Sequence, residues 1–248
     1  MRNLRIAIIG NSVALRVRPP REAPLNKNYT NYLEEALVDY FEDTTVLITN
    51  MAFGAATVMD AHMSLDEYIN TLPDYYIINL GVVDASTREI PRWYYKYINS
   101  RKDSLMVKLN ALLHKHFIKR LRPFLVWMWG KRSWTPARKF KTLYRELIGV
   151  LQKETNAQFI TLPINPANER VENALPGSYA NHVKYNKIIR EISDELDLLY
   201  VDLSDLEPEP HYPDGVHFSR TGHKIIARRL RDIIIADYRD RIQTEESL

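Results

Sequence analysis

Short, near-continuous apolar runs alternate along this chain with longer segments whose apolar residues recur every three or four positions. The short runs, at residues 5–9, 45–49, 75–80, 124–128, 159–162 and 199–201, have the pattern of strands covered on both faces. The longer segments predict helices over 29–40, 137–155, 179–196 and 224–238. Leu105, Leu109, Leu112, Leu113, Phe117 and Leu121 add a further stripe at helical spacing. Pro73, Pro123 and Pro136 punctuate the joins. This alternation predicts an α/β fold: a three-layer α/β/α sandwich around a central, mainly parallel sheet of five or six strands, joined by right-handed crossovers. One domain over residues 1–248 accounts for it, with no internal repeat.

Composition narrows the function classes. A chain of 248 residues that is 45% hydrophobic has ample material for one core. A net charge of +3 is too mild to point to nucleic acid. The absence of cysteine excludes disulfides, thiolate nucleophiles and thiolate metal sites. No apolar run approaches the ~20 residues that span a bilayer, and the first strand begins by Leu4, ahead of any room for a signal peptide. The expectation is a cytoplasmic protein without membrane insertion; its oligomeric state is not readable. No Walker, dinucleotide-binding or His-Glu-x-x-His pattern occurs, so no metal or cofactor is expected.

The chemistry gathers where strands end. In parallel α/β sheets the ligand crevice lies beyond the carboxyl ends of the strands. Gly10-Asn11-Ser12 follows the first strand, residues 50–57 the second, and Gly81-Val82-Val83-Asp84 the third, while Asp214-Gly215-Val216-His217 precedes the last helix. Five of the eight glycines fall in these segments or just after the last, at Gly10, Gly54, Gly81, Gly215 and Gly222, as tight turns and close backbone approach require. An aspartate three residues before a histidine can fix the imidazole tautomer and free its other nitrogen to take a proton, and Ser12 is the hydroxyl that needs such a base.

In their order and context these segments resemble the four blocks of the SGNH/GDSL hydrolase superfamily, over almost the whole chain. The resemblance implies a flavodoxin-like fold and a triad of Ser12, His217 and Asp214, with an oxyanion hole from the amides of Ser12 and of Gly54 or Ala55. Two positions depart from the family pattern. Asn11 stands where an Asp is usual, and Val83 occupies the place of the third-block Asn, removing a side-chain donor whose loss typically costs about 100- to 1,000-fold in rate. Asn50 and Arg88 are the candidate replacements for it.

The expected activity is hydrolysis of a carboxylic ester, an O-acyl group on a carbohydrate or polysaccharide precursor. The alternatives are a weak or inactive glycan- or partner-binding relative and a sugar O-acyltransferase. Asp84 is expected to bind backbone amides around the Ser12 loop, and His223 to be structural or solvated. Arg88 is either an anion contact or a surface charge. Trp93, Tyr94, Tyr95 and Tyr97, and the segment Trp127 to Trp134 after the presumed fourth strand, are candidate sugar-stacking surfaces. Lys115, Lys119, Arg120 and Arg122 read as a solvated helix face, and the proline-rich segment 17–24 as an extended flap over the crevice.

Overall fold

The computed structural model describes residues 2–19, 27–100 and 104–246. Five of the six apolar runs form strands: β1 (Arg2–Gly10), β2 (Thr44–Asn50), β3 (Tyr75–Asn79), β4 (Gln158–Thr161) and β5 (Leu199–Tyr200). They pair in the order β2-β1-β3-β4-β5, every pair parallel. Continuity of the run tracks position in the sheet. Ile6 to Ile9 of β1 and all of β3 are buried on both faces, whereas the edge strand β2 alternates and leaves Leu47 exposed.

The helices are α1 (Tyr29–Val38), α2 (Val58–Met63), α3 (Leu65–Ile69), α4 (Val82–Ala85), α5 (Arg92–Ile98), α6 (Leu105–Leu113), α7 (Arg122–Met128), α8 (Ala137–Glu154), α9 (Glu169–Ala174), α10 (Ser178–Glu195), α11 (Pro208–His211) and α12 (Arg220–Glu246). α1 packs against α12, and α8 against α10, α2 and α3, which gives the two helical layers. α8 illustrates why: Phe140, Tyr144, Leu147, Ile148 and Leu151 recur at helical spacing and are all buried.

Two sequence expectations fail. Residues 124–128 are not a strand but most of α7, with Pro123 in its first turn, where proline's missing N–H costs nothing. Only Val126 of that run is buried, so the run lacks the second covered face that a central strand needs. The leucine stripe of 105–121 does form helix α6 and a following π-turn over His114–Ile118, but it faces solvent instead of the core.

The strand order places the site. The chain runs from β1 outward to β2, then crosses back to pair β3 on the other side of β1, so the crevice opens beyond the carboxyl ends of β1 and β3. The Ser12 turn and α4 follow those two strands. Of the expected flap, Val17 to Pro19 are seen, with Arg18 N bonded to the Phe218 carbonyl at 3.0 Å; residues 20–24 lie outside the described residues.

Candidate active site

β1 stops because Asn11 turns it. Its Oδ1 accepts the Val13 amide at 3.0 Å and caps a single 3₁₀ turn over Ser12–Ala14. Any side chain at Gly10 would press on Ala14 and Ala52 at 3.3 and 3.4 Å, so glycine lets the β1 and β2 ends approach. Ser12 is the first residue of the turn and its N–H has no acceptor among the described residues.

The histidine is set by its own loop. Gly215 takes φ +79°, and the turn it allows brings the Val216 and His217 amides onto Asp214 Oδ1 at 3.0 and 2.7 Å. Asp214 Oδ2 then accepts His217 Nδ1–H at 2.8 Å. With the proton on Nδ1, His217 Nε2 is left as the acceptor for the Ser12 hydroxyl, 2.9 Å away. Burial opposes ionisation of Asp214. Its hydrogen bonds and charge pairing with His217, joined by Arg18, outweigh that and hold the carboxyl well below the usual range.

The β2–α2 loop supplies amides. Asn50 does not face the cavity: its Nδ2 donates to the Ala14 carbonyl at 3.3 Å and its Oδ1 accepts the Ala52 amide at 3.1 Å. The amides of Met51, Phe53, Ala56, Thr57 and Val58 are also bonded within the protein. Among the described residues the Gly54 and Ala55 amides have no acceptor, and both residues line the cavity beside Ser12. Ala55 sits at φ +59°, an uncommon conformation for a residue with a Cβ.

Val83 also lines the cavity, through a side chain that offers no hydrogen bond. Its helix is braced from three sides. Asp84 accepts the Val58 amide and the Thr135 hydroxyl, at 3.2 and 2.6 Å; it ties α4 to α2 and not to the Ser12 loop, contrary to the sequence expectation. Ser86 Oγ meets His182 Nε2 at 2.9 Å, while His182 Nδ1–H donates to the Asn165 carbonyl. Arg88 Nη2 donates to the Val83 carbonyl at 3.1 Å. His223 is buried and structural: it accepts the Tyr29 amide and donates to the Arg16 carbonyl, each at 3.1 Å.

Ser12, Asp214, His217, Gly54, Ala55 and Arg88 therefore meet around one cavity of about 440 Å³, while Asn11, Asn50 and Asp84 stand behind it as braces. Sequence reasoning missed Arg16, Arg170 and the apolar residues Val171, Ala174 and Leu175, placed Arg18 in the flap without its bond to Asp214, and took Arg122, which also lines the cavity, for a solvated charge. They arrive from separate loops and from α7 and α9 with no local pattern to announce them. Of the aromatic candidates, Tyr95 and Trp134 line the cavity, whereas Trp93, Trp127 and Trp129 do not. Among the described residues, no three His, Asp or Glu side chains gather as a metal site, and no helix is long and apolar enough to cross a membrane.

The profile of the GDSL-like lipase/acylhydrolase family matches residues 8–225. No curated protein matches the chain. Among solved structures, the fold is similar to Axe2, an acetylxylan esterase from Geobacillus stearothermophilus, at 19% identity and TM-score 0.59, covering 92% of each chain. It is also similar to a lipase/acylhydrolase from Enterococcus faecalis, at 16% identity and TM-score 0.62, over 94% of this chain and 95% of that one. With the family profile extending from the end of β1 into α12, the chain belongs to the GDSL-like lipase/acylhydrolase family of SGNH hydrolases.

Proposed function

We propose that the protein is a serine esterase in which Ser12 attacks the ester carbonyl. His217 Nε2 takes the Ser12 proton as the new C–O bond forms, and Asp214 stabilises the imidazolium without itself becoming protonated. The amides of Ser12 and of Gly54 or Ala55 hold the oxyanion. The tetrahedral adduct then expels the alcohol, which receives the proton from His217. Water attacks the acyl-Ser12 ester by the same route and releases the carboxylic acid.

The observation that carries this reading is the continuous relay from Asp214 Oδ2 through His217 to Ser12 Oγ, at 2.8 and 2.9 Å. Support also comes from Axe2, whose structures include catalytic mutants at a serine, an aspartate and a histidine, the last two three positions apart. Ser12, Asp214 and His217 repeat that order and spacing. The same likeness favours an O-acyl group on a carbohydrate as the substrate. Val83 argues for a slow enzyme, since the donor it fails to supply is typically worth about 100-fold or more. It also favours the second reading, a weakly active or inactive binder of acylated glycan.

Hydrolysis of p-nitrophenyl acetate and of acetylated xylo-oligosaccharides tests the assignment. Turnover should be measurable in the wild type and lost in Ser12→Ala and His217→Ala, with melting temperatures near that of the parent. Turnover unchanged by Ser12→Ala would remove Ser12 from the mechanism.

A further inference from the structure

Among the described residues, four arginines line the cavity, Arg16, Arg88, Arg122 and Arg170, against a single carboxylate, Asp214. That carboxylate is already engaged by Arg18 and His217. Arg122 is offset by the buried Glu89 at 2.9 Å. Arg88 stacks over Trp134 at 4.2 Å from the ring centroid, and its buried Nε–H has no partner among the described residues. Among the described residues, Arg16 and Arg170 have no carboxylate partner for their guanidinium groups. Arg16 and Arg170 are exposed and keep their donors in water, whereas the Arg88 Nε–H is buried and unmet; an anion among the three would meet that donor and offset their like charge. Their fork geometry matches oxyanions.

Resting on the esterase reading for its acyl part, we infer that the ester substrate carries an oxyanion, a carboxylate or a phosphate, seated among Arg16, Arg88 and Arg170 while its acyl group lies at Ser12. An acylated acidic sugar or sugar phosphate has this chemistry; a neutral acetylated xylan does not.

The test compares acetyl esters of methyl glucoside, methyl glucuronide and glucose phosphate, together with direct titration of glucuronate and inorganic phosphate into Ser12→Ala protein. The expected preference in kcat/KM for one of the anionic esters over the neutral one is about 10-fold or more, falling by a similar factor in Arg170→Gln and in Arg16→Gln. Lys184→Gln, an exposed α10 cation that does not line the cavity, keeps the ratio. Which ester wins distinguishes carboxylate from phosphate. Equal kcat/KM for neutral and anionic esters overturns the inference. If no ester turns over, the esterase reading fails separately and the titration decides: an anion bound by Ser12→Ala and released by adding Arg170→Gln upholds the anion site, and no binding overturns it.

Residues 104–132 hold no Asp or Glu and seven Lys or Arg, six of these exposed and the seventh, Arg122, paired with Glu89. The same segment exposes Leu105 at 82%, Phe117 at 65% and Trp127 at 66%, with Leu109, Leu112 and Phe124 also exposed. An apolar stripe of this size, edged by cations and aromatics, matches a bilayer interface with anionic headgroups. A second copy would bring the same charge against itself, which disfavours a dimer through this face. We propose that α6 and α7 rest on an anionic lipid surface. Sedimentation with phosphatidylcholine vesicles doped with phosphatidylglycerol is expected to capture the protein at low salt, less so at high salt, and not with phosphatidylcholine alone. Lys115→Gln with Lys119→Gln should weaken binding by about 10-fold or more, and Phe124→Ser with Trp127→Ser should lose it in folded protein. Failure to bind doped vesicles overturns the proposal. So does a concentration-dependent dimer that the Phe124 and Trp127 changes dissociate.

Discussion

Arg18 and His217 share one oxygen: Asp214 Oδ2 accepts Arg18 Nε at 2.9 Å and His217 Nδ1 at 2.8 Å. The arginine helps to keep the carboxylate ionised and holds it in place against the imidazole. Arg18→Gln leaves Asp214 Oδ2 to His217 alone, so turnover should fall a few-fold while the melting temperature stays near that of the parent. Unchanged turnover would mean that Arg18 does not position the carboxylate.

On the proposed mechanism, Val83→Asn adds an amide donor to the cavity wall beside the oxyanion. Turnover per folded molecule should rise by about 10-fold. Burying the amide costs stability, about 1–3 kcal/mol if part of it stays unpaired. A well-folded variant with unchanged turnover would show that the hole is already filled, and Arg88, which lines the cavity, would be the group to truncate next.

Gly215→Ala should be among the most damaging single changes. The residue needs φ +79°, and a Cβ there would overlap Asn168 Oδ1 and lie 2.5 Å from Val171 Cγ2. Asn168 cannot simply rotate away, because its Oδ1 caps α9 by accepting the Val171 amide at 3.1 Å. A loss of about 2–4 kcal/mol in urea denaturation is expected, with turnover reduced as Asp214 and His217 shift. A change within about 0.5 kcal/mol would refute this account of the turn.

Burial pushes the Asp84 carboxyl up to about 7, against the pull of Thr135 and Val58. A folded-state value raised above the unfolded one means that the native protein holds this proton more tightly. Its contribution is present at acid pH and fades as pH rises through 7. Asp84→Asn has no proton to lose, so its stability relative to wild type should improve by about 2–3 kcal/mol between pH 5 and pH 8. A difference independent of pH would contradict the assignment.

The sequence was most legible where chemistry and backbone geometry coincide. Ser12 ends a buried strand, and Gly215 lets Asp214 turn back on His217; both leave local signatures. Residues 124–128 misled because a short apolar run beside a proline has the same pattern as a strand or as a helix. Here the exposed Phe124, Trp127 and Met128 show that no sheet covers it. Arg16 and Arg170 could not be foreseen at the cavity, since an arginine's side chain acquires meaning only from what distant loops bring against it.

The central claim is that Ser12 is an activated nucleophile, and covalent labelling reads that activation without knowledge of the substrate. Intact-mass analysis after exposure to a fluorophosphonate should give one adduct, mapped to Ser12 by peptide sequencing, absent in Ser12→Ala and strongly slowed in His217→Ala. Folded wild-type protein that takes up no label, or labels equally without His217, would contradict it.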